Sequence, residues 1–210
     1  MTTSALSRAG GACLLGGLLF GAVSVLAQPT ISSDPAPMAA AISGHSAAMV
    51  LGGALNSIGA ALLVAGLAWW AWLTYSRAPR WAVIGGVLGV LGILAVLLDD
   101  GLQIAAALMG STAHTLDGMS AASGVIGPIS VLNDVGMIVL AVASLRRGIP
   151  RALVSTAIIG SVVESAGFAT GARYLAVVGL VVLLAGLAGL VRSAWAGAPD
   201  PTSALAGAPA

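Results

Sequence analysis

The stretch Trp81-Ala-Val-Ile-Gly-Gly-Val-Leu-Gly-Val-Leu-Gly-Ile-Leu-Ala-Val-Leu-Leu-Asp-Asp100 decides the fold. From Trp81 to Leu98 it carries no charge. At ~1.5 Å rise per residue such a helix covers ~27 Å, close to the ~30 Å of bilayer hydrocarbon. Arg77 and Arg80 stand just before it, and before those come Trp69, Trp70, Trp72 and Tyr75. Amphipathic rings favour the headgroup region, so this cluster reads as the interfacial end of a second apolar run that starts near Ala47.

Read outward from there, apolar stretches fill nearly the whole chain. Candidate spans fall at about 10–27, 47–75, 81–100, 121–145, 152–170 and 174–191, each near the ~20 residues that a crossing helix needs. Of the 210 residues, 59% are hydrophobic and 7% charged, with a mean hydropathy of +1.05. A soluble domain needs roughly a quarter of its residues charged, so this chain cannot coat one. The expectation is an all-α, polytopic transmembrane bundle of six helices over residues 1–195, with a disordered tail at 196–210.

Arginine placement orients the bundle. Arg8, Arg77, Arg80, Arg146, Arg147, Arg151 and Arg192 fall on one side of a six-span layout, and only Arg173 on the other. The positive-inside rule makes the populated side cytoplasmic, with both chain ends there and the cell membrane as the site. A rival reading exists for the first span. Arg8, a short apolar core and Val25-Leu26-Ala27 resemble a signal peptide, whose cleavage after Ala27 would leave five helices. The loop from Gln28 to about Ser46, with Pro29, Asp34, Pro35 and Pro37, is expected to lack regular structure.

Several classes drop out. The net charge is +1 and no basic run exists, so nucleic acid is not an expected partner. The bilayer is the one partner implied; a homo-oligomer or a membrane partner is left open. Cys13 is the single cysteine, which excludes an internal disulfide. All cationic side chains are Arg, and with abundant Ala and Gly this suggests a GC-rich bacterial genome. No spacing matches a zinc protease, paired-cysteine, serine-elbow or phosphate-loop motif, and no cofactor is implied.

Lipid gives helices no hydrophobic reason to associate, so they pack closely at small residues. In the third span Gly85, Gly89, Gly92, Val96, Asp99 and Gln103 share a face by their i+3 and i+4 spacing, which places Asp99 toward the bundle. Asp100 follows the bulky Val90, Ile93 and Leu97 stripe. Ser123, Gly127, Ser130 and Asp134 share a face of the fourth span, where Pro128 predicts a bend. Thr156, Gly160, Glu164, Gly167 and Gly171 share one of the fifth. Gly17 and Gly21 form a GxxxG in the first, a weak pattern among 29 glycines.

Carboxyls at depth cost ~2.5–3.5 kcal/mol on insertion scales and mark candidate sites. Glu164 lies ~18 Å from Ala152 and Asp134 ~16 Å from Leu145, both near mid-membrane and on faces of small residues. If they meet, they are expected to share a proton. Asp99 is ~27 Å from Trp81, near the outer boundary, and Asn56 and Arg173 come at a similar height. An Asp99–Arg173 pair would neutralise both. His45 and His114 fall outside the spans, His114 in a 110–120 loop, so a haem or metal site built on them is a distant reading.

Arg8, Asp34-Pro35 through His45, and Leu97-Leu98-Asp99-Asp100-Gly101-Leu102 resemble features of small, uncharacterised actinobacterial membrane proteins grouped in a family of unknown function. The resemblance spans roughly residues 8–195. It implies the six-helix layout and no activity. Two functions compete on the residues. One is a non-enzymatic small bundle in which the acids, protonated or hydrogen-bonded to Ser130, Asn133, Ser161 or Ser165, cement helices. The other is a small transporter or proton-coupled carrier using Asp134 and Glu164, with Asp99 near its entrance. A continuous polar cavity joining Asp99 to the inner pair would separate them.

Overall fold

The computed structural model describes residues 3–31, 35–109 and 113–196. The tail beyond Ala196 and Asp34 lie outside the described residues. Among the described residues, eight α-helices run in order: α1 Thr3–Ala27, α2 Pro35–Gly44, α3 Ser46–Tyr75, α4 Pro79–Met109, α5 Ala113–Ser130, α6 Leu132–Ser144, α7 Arg151–Thr170 and α8 Arg173–Ala196. A 3-10 turn at Leu145–Arg147 follows α6. Among the described residues there is no strand.

Six stretches of the described residues are long and apolar enough to cross a bilayer: Ala5–Ala27, Ser46–Tyr75, Pro79–Met109, Gly124–Arg147, Arg151–Thr170 and Arg173–Ala196. They match the six expected spans, and the chain is a multi-pass membrane protein. The third is longer than read from its charges. It continues past Asp99 and Asp100 through Gly101-Leu102-Gln103-Ile104-Ala105-Ala106-Ala107, because those residues form helix well and both acids find partners within the bundle.

Turns follow from local chemistry. Pro79 opens α4, where its missing N–H would have had no helical partner anyway. Gly171, at φ 65°, ends α7 in the left-handed conformation, and Ala172 N–H reaches back to the Gly167 carbonyl at 2.9 Å. Two residues therefore suffice to reverse the chain into α8.

Two expectations about loops are corrected. The 28–46 segment contains the helix α2, not irregular chain throughout. Pro35 and Pro37 fall in its first turn, where proline is tolerated, and Met38-Ala39-Ala40-Ala41-Ile42 then propagates it. Ala41 and Ile42 pack with Met49 and Ala106, so α2 covers the ends of α3 and α4. The 110–120 loop is also largely helical, since α5 starts at Ala113 and His114 lies in its first turn. The expected bend at Pro128 is present as a break: α5 stops at Ser130 and α6 restarts at Leu132. Proline has no N–H to give the Gly124 carbonyl, which weakens the ladder there.

Small residues set the helix pairings. A Cβ on Gly160, Gly167 or Gly179 would overlap backbone of the facing helix in the α7–α8 hairpin. Gly92 and Gly136 do the same for α4 against α6. In α1 the weakly rated Gly17 matters: a Cβ there would lie 2.8 Å from the Gly59 carbonyl oxygen of α3. With Leu14 and Leu18 buried, α1 is part of the bundle core. Gly171 caps α7 and is exposed, so the fifth-span face ends at Gly167.

The ends of the bundle are tied by polar contacts. Near the arginines, Trp70 donates from Nε1 to Ser144 Oγ at 2.9 Å, and Trp195 from Nε1 to the Ser7 carbonyl at 3.1 Å. Arg147 donates to the Leu73 carbonyl. Toward the opposite end, Ser24 donates to the Gly52 carbonyl at 2.9 Å.

Candidate functional site: an acidic cavity between the helices

A cavity of about 660 Å³ runs inside the bundle. At one extreme it meets Gln28, Thr30 and Met38, beyond the α1 C-terminus; at the other it reaches Asp134 and Glu164. Asp99, Asp100 and Asn56 border the same space. Asp99 and the inner pair therefore border one cavity, whose wall is mostly apolar, with Leu63, Ile93 and Leu180 on it alongside the acids.

Its outer acids are well partnered. Asn56 donates from Nδ2 to Asp100 at 2.9 Å (Oδ2) and 3.2 Å (Oδ1), and Ser57 Oγ stands 3.5 Å from Oδ2. Asp99 accepts from the Gln103 amide at 2.7 Å. The face assignment for these two acids is corrected. Asp100 is 4% exposed, and Asp99 is the less buried of the two. The α4 helix is gripped by α3 on one side and α6 on the other, so its buried arc is wider than one stripe. Gly85 and Gly92 meet α6, while Asp100 and Ile104 turn to α3. A single stripe of small residues could not register two neighbours.

Arg173 does not join the site. It begins α8 and does not line the cavity, and among the described residues no ion pair links it to Asp99. Asn56 does stand level with the acids of α4, as counting along the helices predicts.

The inner acids are arranged differently. Asp134 projects from the first turn of α6, just below the break. Ser165 Oγ, next to Glu164 on α7, donates to Asp134 Oδ2 at 2.5 Å. The two carboxyls are near enough for their charges to act on each other. Yet Asp134 Oδ1, Glu164 Oε2 and Asn133 Oδ1 are buried with no hydrogen-bond partner. Buried polar atoms in folded proteins nearly always have partners, so three orphans along one wall are unusual. Close packing presents Glu164 here: Gly179 of α8 sits directly on its backbone.

Sequence reasoning missed the role of Asp100. Of the side chains expected to bond the buried acids, Ser165 does so, to Asp134. His45 is exposed at the α2–α3 junction, and the side chain of His114 lies outside the described residues. Among the described residues, no three His, Cys, Asp or Glu side chains gather as a metal-binding group.

The chain matches no protein-family model, no curated protein and no solved structure.

Proposed function

We propose that the protein is a small proton-coupled carrier of the cell membrane, non-enzymatic, in which Asp134 and Glu164 exchange protons with solute. The observation that carries this reading is the cavity that runs from the Gln28–Met38 end to the acids at mid-span. A carrier needs a solute-sized space ending at groups whose charge can change inside lipid. A merely cemented bundle needs neither the space nor unpartnered carboxyl oxygens. The helix break at Val131, one turn from Asp134, supplies a joint at which the outer part of the span can move relative to α6.

The arginine distribution supports an orientation with both chain ends cytoplasmic and the Gln28–Met38 end outside. Reporter fusions after Arg77 and Arg147 are expected to read cytoplasmic, and an insertion at His45 external. A cytoplasmic signal from His45 would reverse the orientation.

Transport is tested in proteoliposomes holding a pH-sensitive dye and an imposed proton gradient. Ethidium, proline and glucose, added in turn, represent cationic, zwitterionic and neutral solutes. At least one is expected to collapse the gradient with the wild type and not with Glu164→Gln. If none outpaces protein-free vesicles, the carrier reading fails. One observation favours the second reading, a structural bundle component: Asp100 is fully engaged by Asn56 and Ser57, as a cementing acid would be.

A further inference from the structure

We propose that the cavity binds a lipophilic organic monocation, its charge seated between Asp134 and Glu164 and its apolar body against Val131 and Phe168. This deepens the carrier reading and rests on the cavity being a solute site.

Glu164 fixes where the charge goes. It is 9% exposed, borders the cavity, and keeps Oε2 without a partner. Asp134 borders the cavity too; its Oδ1 is likewise buried without a partner, while Oδ2 takes the Ser165 hydroxyl. Both carboxyls border the cavity and each keeps a buried oxygen without a partner, which suits a ligand that brings positive charge. The titratable groups on the wall are all acids: Asp99 and Asp100 from α4, Asp134 from α6 and Glu164 from α7. No Arg or His among the described residues lines it, so no internal counter-ion competes, and an anionic ligand would be repelled.

The alternatives to an organic cation fit less well. A hard metal ion collects six or so oxygens at one point. Here the acids stand as two separate pairs, and no three-ligand group forms among the described residues. A small hydrated ion would leave most of about 660 Å³ unused, whereas pockets of roughly 300–1,000 Å³ hold drug-sized molecules. The rim also selects for apolar surface. Val131 and Phe168 line the cavity and are 47% and 41% exposed. Val131 precedes Asp134 by three residues and Phe168 follows Glu164 by four, so each stands one helical turn from its acid. A ligand reaching the acids from the bilayer passes these side chains, and an aromatic ring such as that of Phe168 attracts a cation.

Binding is tested on the purified full-length chain with tetraphenylphosphonium and its neutral analogue triphenylphosphine oxide. The phosphonium is expected to bind at least about ten-fold more tightly than the oxide, and Glu164→Gln and Asp134→Asn each to weaken it about ten-fold or more. Equal affinity for the two probes, or undiminished binding in both variants, would overturn the proposal. A wild-type measurement guards against variants that misfold. Phosphonium, but not the oxide, should protect Glu164 from a hydrophobic carbodiimide, read by mass spectrometry; absence of protection also overturns it. Failure of phosphonium binding while proline or glucose still collapses the vesicle gradient would remove the cation and leave the carrier. Phosphonium binding without any gradient collapse would keep the cation site and remove the carrier.

Discussion

Asp100 and Glu164 border the same cavity, both buried, yet the bundle treats them in opposite ways. Asp100 is met by side chains: the Asn56 amide spans both its oxygens and Ser57 stands beside them. Glu164 is met by backbone packing, with Gly179 pressed onto its main chain and Oε2 left without a partner. The first arrangement spends a carboxyl on joining α3 to α4. The second places a carboxyl firmly while leaving its chemistry free. Burial alone does not distinguish the two; the partner list does.

The largest expected effect tests how Glu164 is placed. Gly179→Leu would drive a side chain into the Glu164 backbone, and overpacking of this kind costs ~1–3 kcal/mol or more. The variant should be lost from the monodisperse peak in size-exclusion chromatography, or melt far below the wild type. Gly101→Ala is the control, since nothing lies within 4 Å of a Cβ there. It should melt no lower, and by removing a helical glycine should gain ~0.5–1 kcal/mol. If the two behave alike, the α7–α8 seam is not what fixes Glu164.

Next comes Asn56→Ala, which strips Asp100 of its main donor. Leaving a buried acceptor underpartnered costs ~1–3 kcal/mol, visible as a clear fall in melting temperature in detergent. The smallest effect belongs to Glu164→Gln, a near-isosteric change at an oxygen that has no hydrogen bond to lose. Its stability should move by less than ~1 kcal/mol, because no formed bond is broken. A fall as deep as that of Asn56→Ala would show that Glu164 is also cement, and the contrast between the two acids would vanish.

Much of this was legible in the sequence, for physical reasons. Length and hydropathy place six spans because lipid tolerates only helices whose backbone is internally bonded. Gly85, Gly89, Gly92, Gly160 and Gly167 mark contacts because close approach needs small residues. Counting rise per residue put Asn56 level with the acids of α4 and Asp134 level with Glu164. What failed was whatever depends on more than one neighbour. Asp100 was turned outward because one stripe of glycines was taken as the whole buried face of a helix that in fact has two partners. The α2 helix was hidden behind prolines that fall in its first turn. The pairing of Asp99 with Arg173 rested on height alone, and height does not bring side chains around a bundle. The cavity itself depends on gaps between helices, which no single helix encodes.

The contact between Trp195 and the Ser7 carbonyl joins residues 188 positions apart, and it has a consequence for biosynthesis. At ~5–20 residues per second, the ribosome emits that much chain in on the order of 10–40 s. Once α3 has been made, the first span has it as a dock, through Leu14 on Gly66 and Gly17 on Gly59. Its other flank, where Gly11 will meet Val191, must wait. The ring of helices closes only when the last span leaves the translocon, so a nascent chain stalled before α8 should present an open seam to lipid, chaperone or protease.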